Sequence, residues 1–305
     1  MGTLSFLVRL PVDRYERDAF SGFAPGPFNL GTARAMMWLA QLSYEDEAAK
    51  QHKILEQWGL TCIASYNRPF PSVLPMPSTG GFVARSRDTV FVVFQGTDPL
   101  VLANWVSDFD FLPNKDGIHR GFHQALDVVW QDIAAAFQQT KLVRRLIITG
   151  HSLGAALAAL CAHRIANELT ITAEAIYAFG MPRLGTPAFA AAYNKKLGER
   201  TYRLIHGSDV VPTVPPSELG FCHVGRCISC EAHALFEISA LDAQPSDQPL
   251  FINTWLSAAK ATLRRYFRRD ILPTDPSPII QASRLLPAGF GDHLPDRYWR
   301  ALKTQ

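Results

Sequence analysis

Hydrophobic and polar positions along the chain follow two rhythms. In residues 31–43, "GTARAMMWLAQLS", apolar side chains recur at three- and four-residue intervals, which predicts a helix. Residues 46–58 continue as a second, more charged helix. "TCIASYN" (61–67) reads as a strand, and "NRPFPSVLPMPSTGG" (67–81) as a proline-rich loop. Residues 82–97 hold two apolar runs joined at Ser86 to Asp88, the pattern of a hairpin. Helix and strand patterns then alternate: a helix from about Phe122 to 139, a strand at 144–149, a helix at 155–169, a strand at 173–180, a helix at 186–198 and a strand at 200–207. This alternation predicts an α/β fold whose mostly parallel sheet is covered by helices on both faces. It breaks down at about 240–290, which is rich in proline and basic residues, so the expectation is one domain over 1–305 with a less regular insertion there.

Composition agrees with a large folded core. Of the 305 residues, 48% are hydrophobic and only 19% charged, which argues against disorder. The net charge of +3 is too small to imply a nucleic-acid partner. The five cysteines are too few, for so long a chain, to form a disulfide scaffold. Three of them lie in "CHVGRCISC" (222–230), near His223 and His233. The spacing is not that of paired zinc ligands, so a strand bearing small apolar cysteines is the preferred reading and no metal is expected. The first residues lack a basic region and a small-residue cleavage site, and no window of about 18 apolar residues exists. The expected location is therefore the cytoplasm, or the exterior by a route without a classical signal peptide.

Chemistry enters at "LIITGHSLGAALAALCA" (146–162). Gly-x-Ser-x-Gly alone arises by chance in about one chain in ten of this length. Here it joins an apolar strand to an alanine-rich helix, the setting that a nucleophile elbow requires. Gly150 and Gly154 remove side chains that would collide in the turn. Ser152 is thus the candidate nucleophile, and the N–H of Leu153 a candidate oxyanion donor. A serine hydroxyl needs a base held by a carboxylate, and in this kind of fold the acid and then the histidine follow the serine. Asp209, in the turn of "RTYRLIHGSDVVPTVPP", follows a strand, although a turn aspartate can also simply bond its own backbone. Of nine histidines, His223, His233 and His293 lie beyond it. His293, in the loop "GFGDHLPDRYW" ahead of a short helix near Pro295, is the preferred base, with His233 as the alternative.

The chain resembles the class 3 lipases, the family of the fungal triacylglycerol lipases. The likeness rests on "VFQGT" with "NWVSDFDF", "HRGF", "GHSLGAALA", "YAFGMPRLG" with "IHGSDVVPTVPP", and "HVG" with "DHLPDRYW", in that order across residues 90–300. It implies an α/β-hydrolase fold and hydrolysis of carboxylic esters, with Ser152, Asp209 and His293 as the triad. It places Thr97 as the second oxyanion residue, donating through its N–H and its hydroxyl. Gln95 stands where the family usually has arginine. The resemblance also makes "DPLVLANW" a short amphipathic lid, with Leu100, Val101 and Leu102 facing lipid and Asn104 and Trp105 at lid and hinge; a buried loop is the plainer alternative.

Phe70, Val73, Leu74 and Met76 are candidates to border an acyl groove. "NTWLSAAKATLRRYFRRDIL" (253–272) sorts Trp255, Leu263, Tyr266 and Phe267 from Lys260, Arg264, Arg265, Arg268 and Arg269. The preferred reading is a helix packed on the domain with a solvated basic edge, the alternative an anionic membrane surface. The sequence therefore predicts a serine esterase or lipase that needs no cofactor, takes a lipid or acyl-ester substrate and touches a lipid interface transiently. A phospholipase A1 or aryl esterase on the same triad, and a catalytically silent binding module, are its rivals.

Overall fold

The computed structural model describes residues 8–70, 78–97, 112–140, 144–242 and 289–303. Seven strands form one sheet in chain order: β1 Thr61–Pro69, β2 Ser78–Arg85, β3 Thr89–Phe94, β4 Arg145–His151, β5 Ala175–Phe179, β6 Thr201–His206 and β7 Arg226–Cys230. The pairs β1–β2 and β2–β3 are antiparallel, and every pair from β3 to β7 is parallel. The expected α/β architecture is present, with a difference in the predicted 67–81 loop. Asn67, Arg68 and Pro69 pair with Ser78, Thr79 and Gly80, so the strands run into the proline-rich stretch. Pro69 is compatible with pairing because β1 is an edge strand and needs no N–H on its outer side.

The helices explain how both faces are covered. Helices α1 (Leu30–Leu42) and α2 (Ala48–Gln57) precede the sheet; α3 (Arg120–Gln139), α4 (Leu153–Glu168) and α5 (Pro187–Leu197) cross between parallel strands; the short α6 (Pro295–Ala301) closes the described chain. Because the strands advance in one direction, right-handed crossovers put α3, α4 and α5 on a single face. Val92, Phe94, Leu146, Ile148, Ile176 and Ala178 form a core with them. The alternate residues Phe91, Val93, Ile147, Ala175, Tyr177 and Phe179 point to the other face, where α1, α2 and α6 pack.

Local signals start each helix where it is needed. The Asn29 side chain accepts from the Thr32 N–H at 2.7 Å and caps α1, and Thr186 caps α5 ahead of Pro187. Trp299 of α6 stacks on Trp38 of α1, with centroids 4.9 Å apart. Such a pair adds about 0.5–1.5 kcal/mol beyond its burial, enough to matter for a helix of two turns.

The cysteine-rich stretch becomes a strand only from Arg226; Cys222 and His223 precede it. All five cysteines are free thiols, and no group of three His, Cys, Asp or Glu among the described residues is arranged to hold a metal. Phe70 is buried in the core on the α3 side. Val73, Leu74, Met76, the expected lid with Leu100, Val101, Leu102, Asn104 and Trp105, and the basic segment 253–272 lie outside the described residues, as does most of the 240–290 stretch.

Candidate active site

Parallel strands end at the same edge of a sheet, and this edge gathers the candidate residues. Thr97 follows β3, Ser152 follows β4, and Asp209 follows β6. The elbow at Ser152 has φ +62° and ψ −131°, a backbone conformation that costs a residue with a side chain about 1–3 kcal/mol. The surroundings impose it. The Ser152 N–H donates to the Phe179 carbonyl at 2.8 Å, and the Ala155 N–H returns to the Ser152 carbonyl. A Cβ on Gly150 would lie 2.2 Å from the Gly154 carbonyl oxygen, and one on Gly154 would lie 2.6 Å from the Phe94 carbonyl oxygen. Both glycines are therefore required by backbone contact, as the motif predicted. The predicted helix start at 155 moves to Leu153, whose N–H belongs to the first turn and has no intrahelical acceptor.

His293 and Asp209 come together across 84 positions. His293 Nδ1 lies 2.8 Å from Asp209 Oδ2 and 3.0 Å from Oδ1. The two side chains are 2% and 0% exposed, so solvent does not compete for this bond. The Val211 N–H donates to Asp209 Oδ1 at 2.9 Å, and the Tyr298 hydroxyl donates to Oδ2. Asp292 adds a second tie, accepting from the Ser208 N–H at 2.8 Å and so latching the loop of the base to the turn of the acid. Gly180, at φ +60°, makes room: a Cβ there would lie 2.8 Å from both Asp209 Oδ2 and His293 Nδ1.

The alternative bases are elsewhere. His223 sends Nε2 to the Pro212 carbonyl at 2.8 Å, and His233 is exposed in a turn at φ +69°. Three of the candidate residues carry a buried atom with no hydrogen-bond partner among the described residues: Ser152 Oγ, His293 Nε2 and Thr97 Oγ1. Sequence reasoning missed Gly180, Tyr298, Asp292 and His151. Gly180 sits in "YAFG" directly after a strand, and that glycine was the one available signal for it; the other three are recognisable only from their partners.

Burial also decides the charge of several histidines. It holds His151 and His223 well below the ordinary imidazole range and His119 at about 3. Their folded forms favour the neutral ring, so the unfolded chain takes up protons first as pH falls. Stability from these three is complete above about pH 6.5 and is lost below it, by up to about 4 kcal/mol per pH unit. Melting temperature should hold from pH 7.5 to about 6.5 and fall from there to pH 5; a Tm flat to pH 5 would contradict neutral burial.

Residues 91–219 match the family described as lipase (class 3). A secreted mono- and diacylglycerol lipase of Malassezia globosa is 32% identical over 206 residues, covering 65% of this chain and 67% of that protein. A lipase of Rhizomucor miehei is 31% identical over 186 residues, covering 55% of this chain and 50% of its own length. The matched region thus spans about half to two thirds of these relatives. Among solved structures, lipase II from Rhizopus niveus superposes with a TM-score of 0.56 at 22% identity, over 74% of this chain and 91% of that one. The family match includes Thr97, Ser152, Leu153 and Asp209 but ends before His293, whose place in the site rests on its geometry. Fold, elbow and likeness converge: the chain belongs to the class 3 lipase family and has the α/β-hydrolase fold.

Proposed function

We propose that this protein hydrolyses acylglycerol esters through an acyl-enzyme on Ser152. The observation that carries the reading is the trio of unpartnered buried atoms, Ser152 Oγ, His293 Nε2 and Thr97 Oγ1, beside a histidine already held by Asp209. Buried polar atoms are nearly always paired, and atoms left unpaired at one edge of the sheet fit groups that pair with a substrate. The Malassezia relative supports acylglycerols as the substrate class.

The chemistry then follows from the contacts. Asp209 accepts a hydrogen bond from the Nδ1–H of His293, which leaves Nε2 as the base. Nε2 takes the Ser152 hydroxyl proton while Oγ bonds to the ester carbonyl carbon. The negative oxygen is received by the N–H groups of Leu153 and Thr97 and by the Thr97 hydroxyl. The imidazolium, stabilised by Asp209, returns the proton to the leaving alcohol. Water, deprotonated by the same Nε2, releases the acid and restores Ser152. The Thr97 hydroxyl has its own test. Thr97→Val keeps the backbone N–H and the shape, and is expected to lower kcat by about 10²- to 10³-fold. An unchanged kcat would mean that the backbone donors suffice.

A fluorophosphonate probe followed by peptide mapping tests the nucleophile, with label expected on Ser152. A p-nitrophenyl ester series run beside a diacylglycerol, a triacylglycerol and a phospholipid tests the substrate. Acylglycerol hydrolysis at the highest rate supports the reading. Preference for the phospholipid or the aryl esters replaces it with a phospholipase or aryl esterase, and an unlabelled, inactive protein replaces it with a binding module.

A further inference from the structure

His151 stands between Gly150 and Ser152 and takes no part in the chemistry above, yet its buried ring is engaged at both nitrogens over long stretches of chain. Nε2 lies 2.7 Å from the backbone carbonyl oxygen of His293, 142 positions away. Nδ1 lies 2.8 Å from the Tyr44 hydroxyl, 107 positions away. A carbonyl only accepts, so Nε2 carries the ring proton. Burial, with His293 adding to it, keeps the ring neutral, so Nδ1 accepts from the Tyr44 hydroxyl.

The contacts reach each part of the site. The His151 and His293 rings lie with centroids 4.5 Å apart, and the Tyr298 ring meets His151 edge-on at 5.5 Å. The Tyr44 hydroxyl occupies the space beside Gly96, where a Cβ would lie 2.1 Å from it and 2.6 Å from the His151 carbonyl oxygen. Gly96 directly precedes Thr97. Two other ties of the base loop, Ser208 to Asp292 and Asp209 to His293, attach it to the turn after β6. The His151 bond attaches this loop to β4, the strand that carries the nucleophile.

We propose that His151 is a positioning residue: the chain from Tyr44 through His151 to the His293 carbonyl sets the reach of the base over Ser152. The inference rests on the triad reading above. Without the tie, the acid and base keep each other but lose their placement relative to the serine. A displacement near 1 Å at a reacting pair costs about 10²-fold in rate. The loss should fall on kcat, because His151 is buried and both ring nitrogens are engaged within the protein.

The test is turnover per active site, with sites counted by end-point labelling with a fluorophosphonate. His151→Phe keeps an aromatic ring and removes both hydrogen bonds; it is expected to lower kcat per labelled site by about 10- to 10²-fold with KM within about twofold. His151→Gln, whose amide can still donate toward the His293 carbonyl, is expected to recover most of that loss. Tyr44→Phe, which removes the outer link and keeps the His151–His293 bond, should lower kcat per site by a smaller factor. A purely structural role would reduce the number of labelled sites and leave each at wild-type speed, so wild-type turnover per site in His151→Phe overturns the proposal. Where His151→Phe yields no folded protein, wild-type turnover per site in both Tyr44→Phe and His151→Gln overturns it. Wild-type protein that does not label at Ser152 defeats the triad reading, and this proposal with it, before any variant is compared.

Discussion

Ser152→Ala is expected to lower kcat by about 10⁴- to 10⁶-fold and to leave the fold intact. The size follows from what remains. Without Oγ there is no covalent intermediate, and the oxyanion donors can assist only direct attack by water. The fold survives because Ser152 Oγ has no hydrogen-bond partner to lose among the described residues. The elbow is held by backbone bonds to Phe179 and Ala155 and by close contact at Gly150 and Gly154, and none of these involves the hydroxyl. Initial rates on a soluble p-nitrophenyl ester, with melting temperature as the control, check both halves. Activity near the wild-type level in a folded variant would place the nucleophile elsewhere.

His293→Ala is expected to be nearly as damaging to kcat, while His233→Ala should stay within about threefold of wild type. His293 is buried against Asp209, and in the proposed mechanism removing it takes away both the proton acceptor for Ser152 and the acid for the leaving alcohol. It also leaves Asp209 with one donor fewer in a closed site, so a loss of about 1–3 kcal/mol in stability should accompany the kinetic effect. His233 is exposed, in a left-handed backbone conformation. Parallel kinetics of the two variants decide the matter. A severe His233→Ala beside a mild His293→Ala would move the base and make the C-terminal loop structural.

The residues legible in the sequence are those whose reasons are local. Ser152 stands out because an elbow needs a strand, two missing side chains and a helix within about a dozen consecutive residues, and the glycine contacts show that requirement at atomic scale. The α/β class is legible because alternation of periods 2 and 3.6 belongs to each segment by itself. Asp209 could be nominated from its place after a strand, and the bases were reduced to three by chain order; there the sequence could rank candidates without choosing among them.

Tertiary structure made the choices that depend on distant partners. The fold brings His293, and neither His223 nor His233, to Asp209, a carboxylate 84 positions away, and the proposed base is named on that contact. Tyr298 and Val211 add donors to Asp209, and Gly180 matters because the side chains of Asp209 and His293, from two distant loops, converge on the space a methyl group would fill. The β1–β2 pairing carried strands into a proline-rich stretch, since edge position is a property of the sheet and not of the residues. His151 shows the difference within one motif. Its neighbours Gly150 and Ser152 are explained by the turn they form, whereas its own ring is explained only by Tyr44 and the His293 carbonyl. Hydrogen bonds spanning 107 and 142 positions leave no period or spacing in a sequence, because they exist only once the sheet has brought its strand ends together.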